Sequence, residues 1–159
     1  MTRLVLCSGK VYVELTGLPN FEAAGAVAVA RIEELNPFPA AEMARLLMRY
    51  PALREVVWLQ EEPQNMGAWT FVQPRIAPLL GERITLRYVG RAEAASPAEG
   101  SLGRHAAEQN RLLSAALAPT PERIVGADSG VTTEVAATRH AKPGPRSTPN
   151  KVSTSTNGR

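Results

Sequence analysis

Val56-Val57-Trp58-Leu59 is an unbroken apolar run that ends in Gln60-Glu61-Glu62-Pro63. Short continuous apolar runs bounded by polar or turn residues mark strands buried on both faces. Leu4-Val5-Leu6-Cys7, ending at Ser8-Gly9, is a second such run, and Ala26 to Ile32 is a third. A strand buried on both faces needs a layer on each side of its sheet. The three runs therefore point to a parallel sheet sandwiched between helices. Ile84, Leu86 and Tyr88 alternate with Thr85 and Arg87. That alternation predicts a fourth strand at a sheet edge with one wet face.

Helical patterns fall between the strands. Met43, Leu46, Leu47 and Tyr50 share one helical face, with Pro39 in the first turn and Pro51 as the stop. Trp69, Val72, Ile76 and Leu79 form a second stripe. Pro74 lies inside it, which predicts a kink or a split, because proline removes one helical bond and crowds the preceding turn. Leu102, Ala106, Leu113 and Leu117 outline a third helix with Ser101 as its N-cap. After Lys10, residues Val11 to Leu15 begin a helix that Thr16-Gly17-Leu18-Pro19 cuts short. Strands alternating with helices give a three-layer α/β domain with a mostly parallel sheet over residues 1–118.

Charge divides the chain at the same place. Residues 1–117 carry 12 Lys+Arg and 12 Asp+Glu, and the remainder carries 6 and 3. The basic balance belongs to the last segment, so no basic nucleic-acid face is expected on the folded part. Residues 119–159 are rich in Pro, Ser, Thr and Gly and read as a disordered basic tail. No run of ~18 apolar residues suggests a membrane span, and the amino terminus is too short in apolar residues for a signal peptide. A cytoplasmic location is the expectation.

Cys7, alone and in an apolar strand, reads as a small buried hydrophobe. Neither histidine has a nucleophile or metal-ligand spacing around it. Ser8-Gly9-Lys10 has two readings: a strand-ending turn with a solvated lysine, or a turn that receives an anion. Arg91 and Ser96 lie in a loop after the fourth strand, as a plain connector or as a phosphate contact through the arginine fork. Glu61 and Glu62, adjacent on a strand, point to opposite faces. They cannot act together as a general acid and base, which favours a structural or interface role. Gly67 suits a close backbone approach, and Trp69 suits a core or interface anchor.

Four segments, in order, resemble the C-terminal domain of the thiamine-dependent first component of the 2-oxoglutarate dehydrogenase complex. They are Leu4 to Tyr12, Arg31 to Pro39, Gln60 to Trp69, and Tyr88-Val89-Gly90-Arg91 with Ala95-Ser96-Pro97-Ala98 and Gly100-Ser101. The resemblance spans residues 3–117. It implies a fold like the transketolase C-terminal domain, a homodimer or domain partner, and a link through the full enzyme to the lipoyl acyltransferase. It also implies an allosteric site for acetyl-coenzyme A or AMP, for which Ser8, Lys10, Gln60 and Arg91 are the candidates. Glu61, Glu62, Gly67 and Trp69 are the interface candidates.

In the full enzyme thiamine diphosphate and magnesium are held by earlier domains. Nothing here resembles the glycine–aspartate motif for them, and the first aspartate is Asp128. The expectation is a structural and regulatory piece that binds no cofactor alone. A stand-alone nucleotide-binding or adaptor module is the alternative, and a minimal transferase ranks below both. Gly17 and Pro19 interrupt a helix that is usually longer in that family, and Ala92 stands where a proline is common.

Overall fold

The computed structural model describes residues 1–22, 24–118 and 131–133. In chain order the elements are β1 (Arg3–Cys7), α1 (Lys10–Thr16), β2 (Val27–Arg31), α2 (Ala40–Met48) and β3 (Glu55–Pro63). They continue with α3 (Trp69–Leu80), β4 (Thr85–Arg91), α4 (Leu102–Leu117) and β5 (Val131–Thr133). The sheet order is β2-β1-β3-β4-β5, and every pairing is parallel. The disordered-tail expectation falls outside the described residues, apart from the three of β5.

Alternation along the strands divides the core into two. Leu4, Leu6, Val56, Trp58, Leu86 and Tyr88 face α2 and α3, where Met43, Leu47, Trp69, Val72 and Ile76 cover them. Val5, Cys7, Val57, Leu59 and Val89 face α1 and α4, which contribute Val11, Leu15, Leu112, Leu113 and Ala116. Helices on both faces explain why Leu4–Cys7 of β1 and Val56–Leu59 of β3 are apolar throughout.

Three sequence expectations are corrected. First, β4 is not a half-wet edge strand. It pairs on both sides, and Arg87 is 3% exposed. Charge on a strand reads as solvent-facing, but Arg87 Nε donates to Glu55 Oε1 at 2.7 Å, and its guanidinium also donates to the Ala115 carbonyl at 3.3 Å. Second, α3 is one helix and is not split, despite Pro74 and Pro78 within it. Both prolines sit on its exposed side, four residues apart, while Trp69, Val72, Ile76 and Leu80, rather than Leu79, are buried.

Third, the buried stripe of α4 is Gln109, Leu112, Leu113 and Ala116. Its first two turns are solvent-exposed: Ala106 is exposed and Leu102 is 89% exposed. Ser101 does cap the helix, accepting from the Arg104 amide at 3.2 Å.

At the opposite end, α4 is fastened. Arg3 donates to the Leu117 carbonyl at 2.9 Å and, with Arg87, flanks the Glu55 carboxylate. Cations here meet both a carboxylate and the partial negative charge of a helix C-terminus.

Candidate functional site at the carboxyl edge of the sheet

The ends of β1, β3 and β4 share one edge because all three strands are parallel. At β1 the chain turns through Gly9, whose φ of +69° is disfavoured for a side-chain-bearing residue, and enters α1 at Lys10. The Gly9 amide donates to Glu33 Oε1 at 3.1 Å, and Arg31 Nε donates to the same oxygen at 2.6 Å. Both contacts, the arginine's first, hold the Glu33 carboxyl below its ordinary value. Arg31 also lies 4.8 Å over the Tyr12 ring, a cation–π contact.

Lys10 reaches Glu61 Oε1 at 3.0 Å across the sheet edge and Glu14 one turn along α1. Glu14 also accepts from Gln109 on α4. The hydrogen bonds from Glu14 and then Glu61 raise the Lys10 pKa. Burial pushes the Glu14 carboxyl up, but Lys10 and Gln109 more than offset this and leave it below its ordinary value. Buried Cys7, just beneath, has its thiol pushed up to about 12, which makes it inert.

Gln60 organises the loop after β3. Its oxygen accepts from Trp58 Nε1 and from the Trp69 amide, each at 2.9 Å. Its nitrogen faces the carbonyls of Met66 at 2.8 Å, Pro63 at 3.2 Å and Glu62 at 3.4 Å. The loop closes on this amide because Gly67 takes φ +65°. A Cβ there would press on Gln60 Nε2 and on Glu62 at 3.0 Å.

Tyr88 stands beside them, its hydroxyl 3.0 Å from the Glu62 carbonyl and 3.1 Å from that of Arg91. The ring folds over Gly90, where a Cβ would lie 2.0 Å from the hydroxyl oxygen. Asn65 clamps the next loop, donating to the Ala94 carbonyl at 3.0 Å and accepting from the Ala94 amide at 3.1 Å.

Two clefts flank the end of β3 on this edge. One, of about 590 Å³, is lined by Ser8, Lys10, Asn36, Glu61 and Phe71 among others. The other, of about 530 Å³, is lined by Arg91, Glu99 and His105. Glu61 and Glu62 line both and form the wall between them.

The structure thus gathers Ser8, Lys10 and Gln60 in one cleft and places Arg91 in its neighbour. Arg91 is tied down by the Glu61 carbonyl at 2.7 Å, Glu99 at 3.0 Å and the Pro97 carbonyl. Gln60 is 4% exposed, with both ends of its amide engaged. Among the interface candidates Glu62 and Gly67 are exposed and Glu61 half-buried, but Trp69 lies in the core, 5.1 Å from the Tyr88 ring.

No spacing points to Glu14, Glu33 or Gln109 at this edge, because their contacts join α1, the loop after β2 and α4. Among the described residues no group of three His, Cys, Asp or Glu could hold a metal ion. Nor is any helix long and apolar enough to cross a membrane.

The family model described as 2-oxoglutarate dehydrogenase C-terminal matches residues 1–117. The 2-oxoglutarate dehydrogenase E1 component of Shouchella clausii is 45% identical over 117 residues, 72% of this chain and 12% of that protein. That of an Exiguobacterium strain is 40% identical over 133 residues, 82% of this chain and 14% of that protein. The mitochondrial 2-oxoglutarate dehydrogenase of Schizosaccharomyces pombe is 42% identical over 118 residues, 72% of this chain and 12% of that protein. The chain therefore spans about an eighth of the length of these curated relatives. From β1 to the end of α4, the chain belongs to the 2-oxoglutarate dehydrogenase C-terminal family.

Proposed function

We propose that this chain acts as the C-terminal structural and regulatory domain of a thiamine diphosphate-dependent 2-oxoglutarate dehydrogenase. It carries no decarboxylase chemistry of its own. The observation behind this reading is the family match over residues 1–117, set against the small share of each relative that the chain covers. Its role is to support a dimer or the remaining domains of such an enzyme, and through them the lipoyl acyltransferase complex. Exposed Glu62 and the exposed first two turns of α4 are the surfaces offered to such a partner.

The regulatory part of the proposal concerns the carboxyl edge. In open α/β sheets ligands settle outside the carboxyl ends of the strands. Here a cleft of about 590 Å³ combines Ser8 and Lys10 with the Phe71 side chain, a cation and hydroxyl beside an apolar wall. That suits a phosphate-bearing ligand with a flat or apolar body, such as acetyl-coenzyme A or AMP. Gln60 serves this site by shaping its floor, and Arg91 by holding the next loop against it.

Calorimetric titration of the chain with thiamine diphosphate and magnesium tests the central part. No binding is expected. Tight, magnesium-dependent binding would contradict the reading and favour an enzyme in its own right.

A further inference from the structure

We infer that Glu61 is a gate on the cleft, holding Lys10 away from an incoming anion until the Glu61 side chain is withdrawn. The inference rests on the reading of this cleft as an anion site and adds how the site is controlled.

The argument is one of charge at the edge. Lys10 lines the cleft with its ammonium engaged by two carboxylates, Glu61 at 3.0 Å and Glu14. Arg31, the next cation along the edge, is paired with Glu33. Across the wall, Arg91 is paired with Glu99 and Arg111 with Glu108. Each of these cations already has a carboxylate partner, so a phosphate gains a cation only by displacing one.

The geometry singles out Glu61 as the one to move. Glu33 is held by two donors, Arg31 and the Gly9 amide. Glu14 is held by Gln109 as well as Lys10. The Glu61 carboxylate has Lys10 as its ion-pair partner, and its backbone is fixed separately, by Arg91 Nε on its carbonyl at 2.7 Å. The side chain can therefore swing without disturbing the strand. It lines both clefts, so the neighbouring cleft is open to receive it.

The Lys10 side chain is 58% exposed and that of Glu61 27%. An ion pair this exposed is weak. The gate is thus one that a moderate ligand can open, and removing it has a modest effect.

Glu61→Gln removes the competing charge and the repulsion toward a phosphate while keeping size and shape. Titrating acetyl-coenzyme A into the full chain by calorimetry, we expect Glu61→Gln to bind about two- to fivefold more tightly than the parent. Glu61→Gln with Lys10→Ala should lose that gain. Equal affinity of the parent and Glu61→Gln would overturn the gate and leave the anion site standing. A gain that survives Lys10→Ala would also overturn it, because the gate acts through Lys10. Absence of binding in all three would remove the anion site itself, and the gate with it. Circular dichroism on each variant separates these outcomes from misfolding.

Discussion

At the amino-terminal end of the sheet one acid sits between two bases: Glu55 between Arg3 and Arg87. At the carboxyl end one base sits between two acids: Lys10 between Glu14 and Glu61. The two triads have the same parts count and opposite surroundings. The side chains of Arg3, Glu55 and Arg87 are 11%, 8% and 4% exposed, whereas Lys10 is 58% exposed. Burial decides what each can do. Charges out of water are costly to separate, so the first triad is structural and fixed. Charges in water exchange partners at little cost, so the second is available to a ligand or a neighbouring domain.

Substitutions can break this contrast. The largest effect is expected from Glu55→Ala, which leaves two buried guanidiniums without their shared carboxylate. A loss of about 3–5 kcal/mol in chemical denaturation follows from the usual cost of breaking a buried pair. A loss under about 1 kcal/mol would show that the triad is solvated in practice.

Gln60→Leu comes next. It strands the Trp58 indole N–H, the Trp69 amide and the loop carbonyls around them. An unsatisfied buried group costs about 1–3 kcal/mol, so a loss of about 2 kcal/mol or more is expected, with altered tryptophan fluorescence. Wild-type stability would mean that Gln60 is not the organiser of the β3–α3 loop.

Lys10→Ala should cost less than about 1 kcal/mol, as an exposed pair does. A loss as large as that of Glu55→Ala would erase the distinction between the two ends.

The smallest effect is a pH dependence at Glu33. Its folded pKa is lowered, so its stabilising contribution is present above the ordinary carboxylate range and fades as pH falls through the depressed value. The Tm difference between the parent and Glu33→Gln should be small at pH 7 and shrink further as pH falls below the ordinary carboxylate range. A difference that grows on acidification would reverse the sign of this account.

The contrast also explains what the sequence could convey. Apolar runs such as Leu4–Cys7 and Val56–Leu59 declare themselves, because a stretch covered by helices on both faces reads as continuously apolar. The parallel sheet, the two helical layers and the short α1 were readable for that reason. Arg87 was not, because a charged residue in an alternating strand reads as wet, and its partner Glu55 lies 32 residues away.

The α4 stripe was misplaced for a related reason. Leu102 and Ala106 fit a helical period as well as the buried residues do, and no local signal tells that the first two turns stay exposed. The split read from Pro74 did not occur: α3 runs through both prolines, and on the exposed side the carbonyls they leave without a helical donor can meet water.

At the site, strand ends placed Ser8, Lys10, Gln60 and Arg91 on one edge. Their division between two clefts by Glu61 and Glu62, and the engagement of Gln60 within its own loop, depend on side-chain contacts that spacing does not encode.

The central claim is that this chain is a domain that completes a larger enzyme. The direct measurement is complementation. The E1 component of Shouchella clausii, truncated before the segment that matches this chain, is mixed with the chain and assayed for 2-oxoglutarate decarboxylation and for mass by light scattering. The account predicts that the truncated enzyme is inactive or impaired alone, that the chain is inactive alone, and that together they form a complex with restored activity. A truncated enzyme that is fully active without the chain, or a mixture that neither associates nor gains activity, would contradict it.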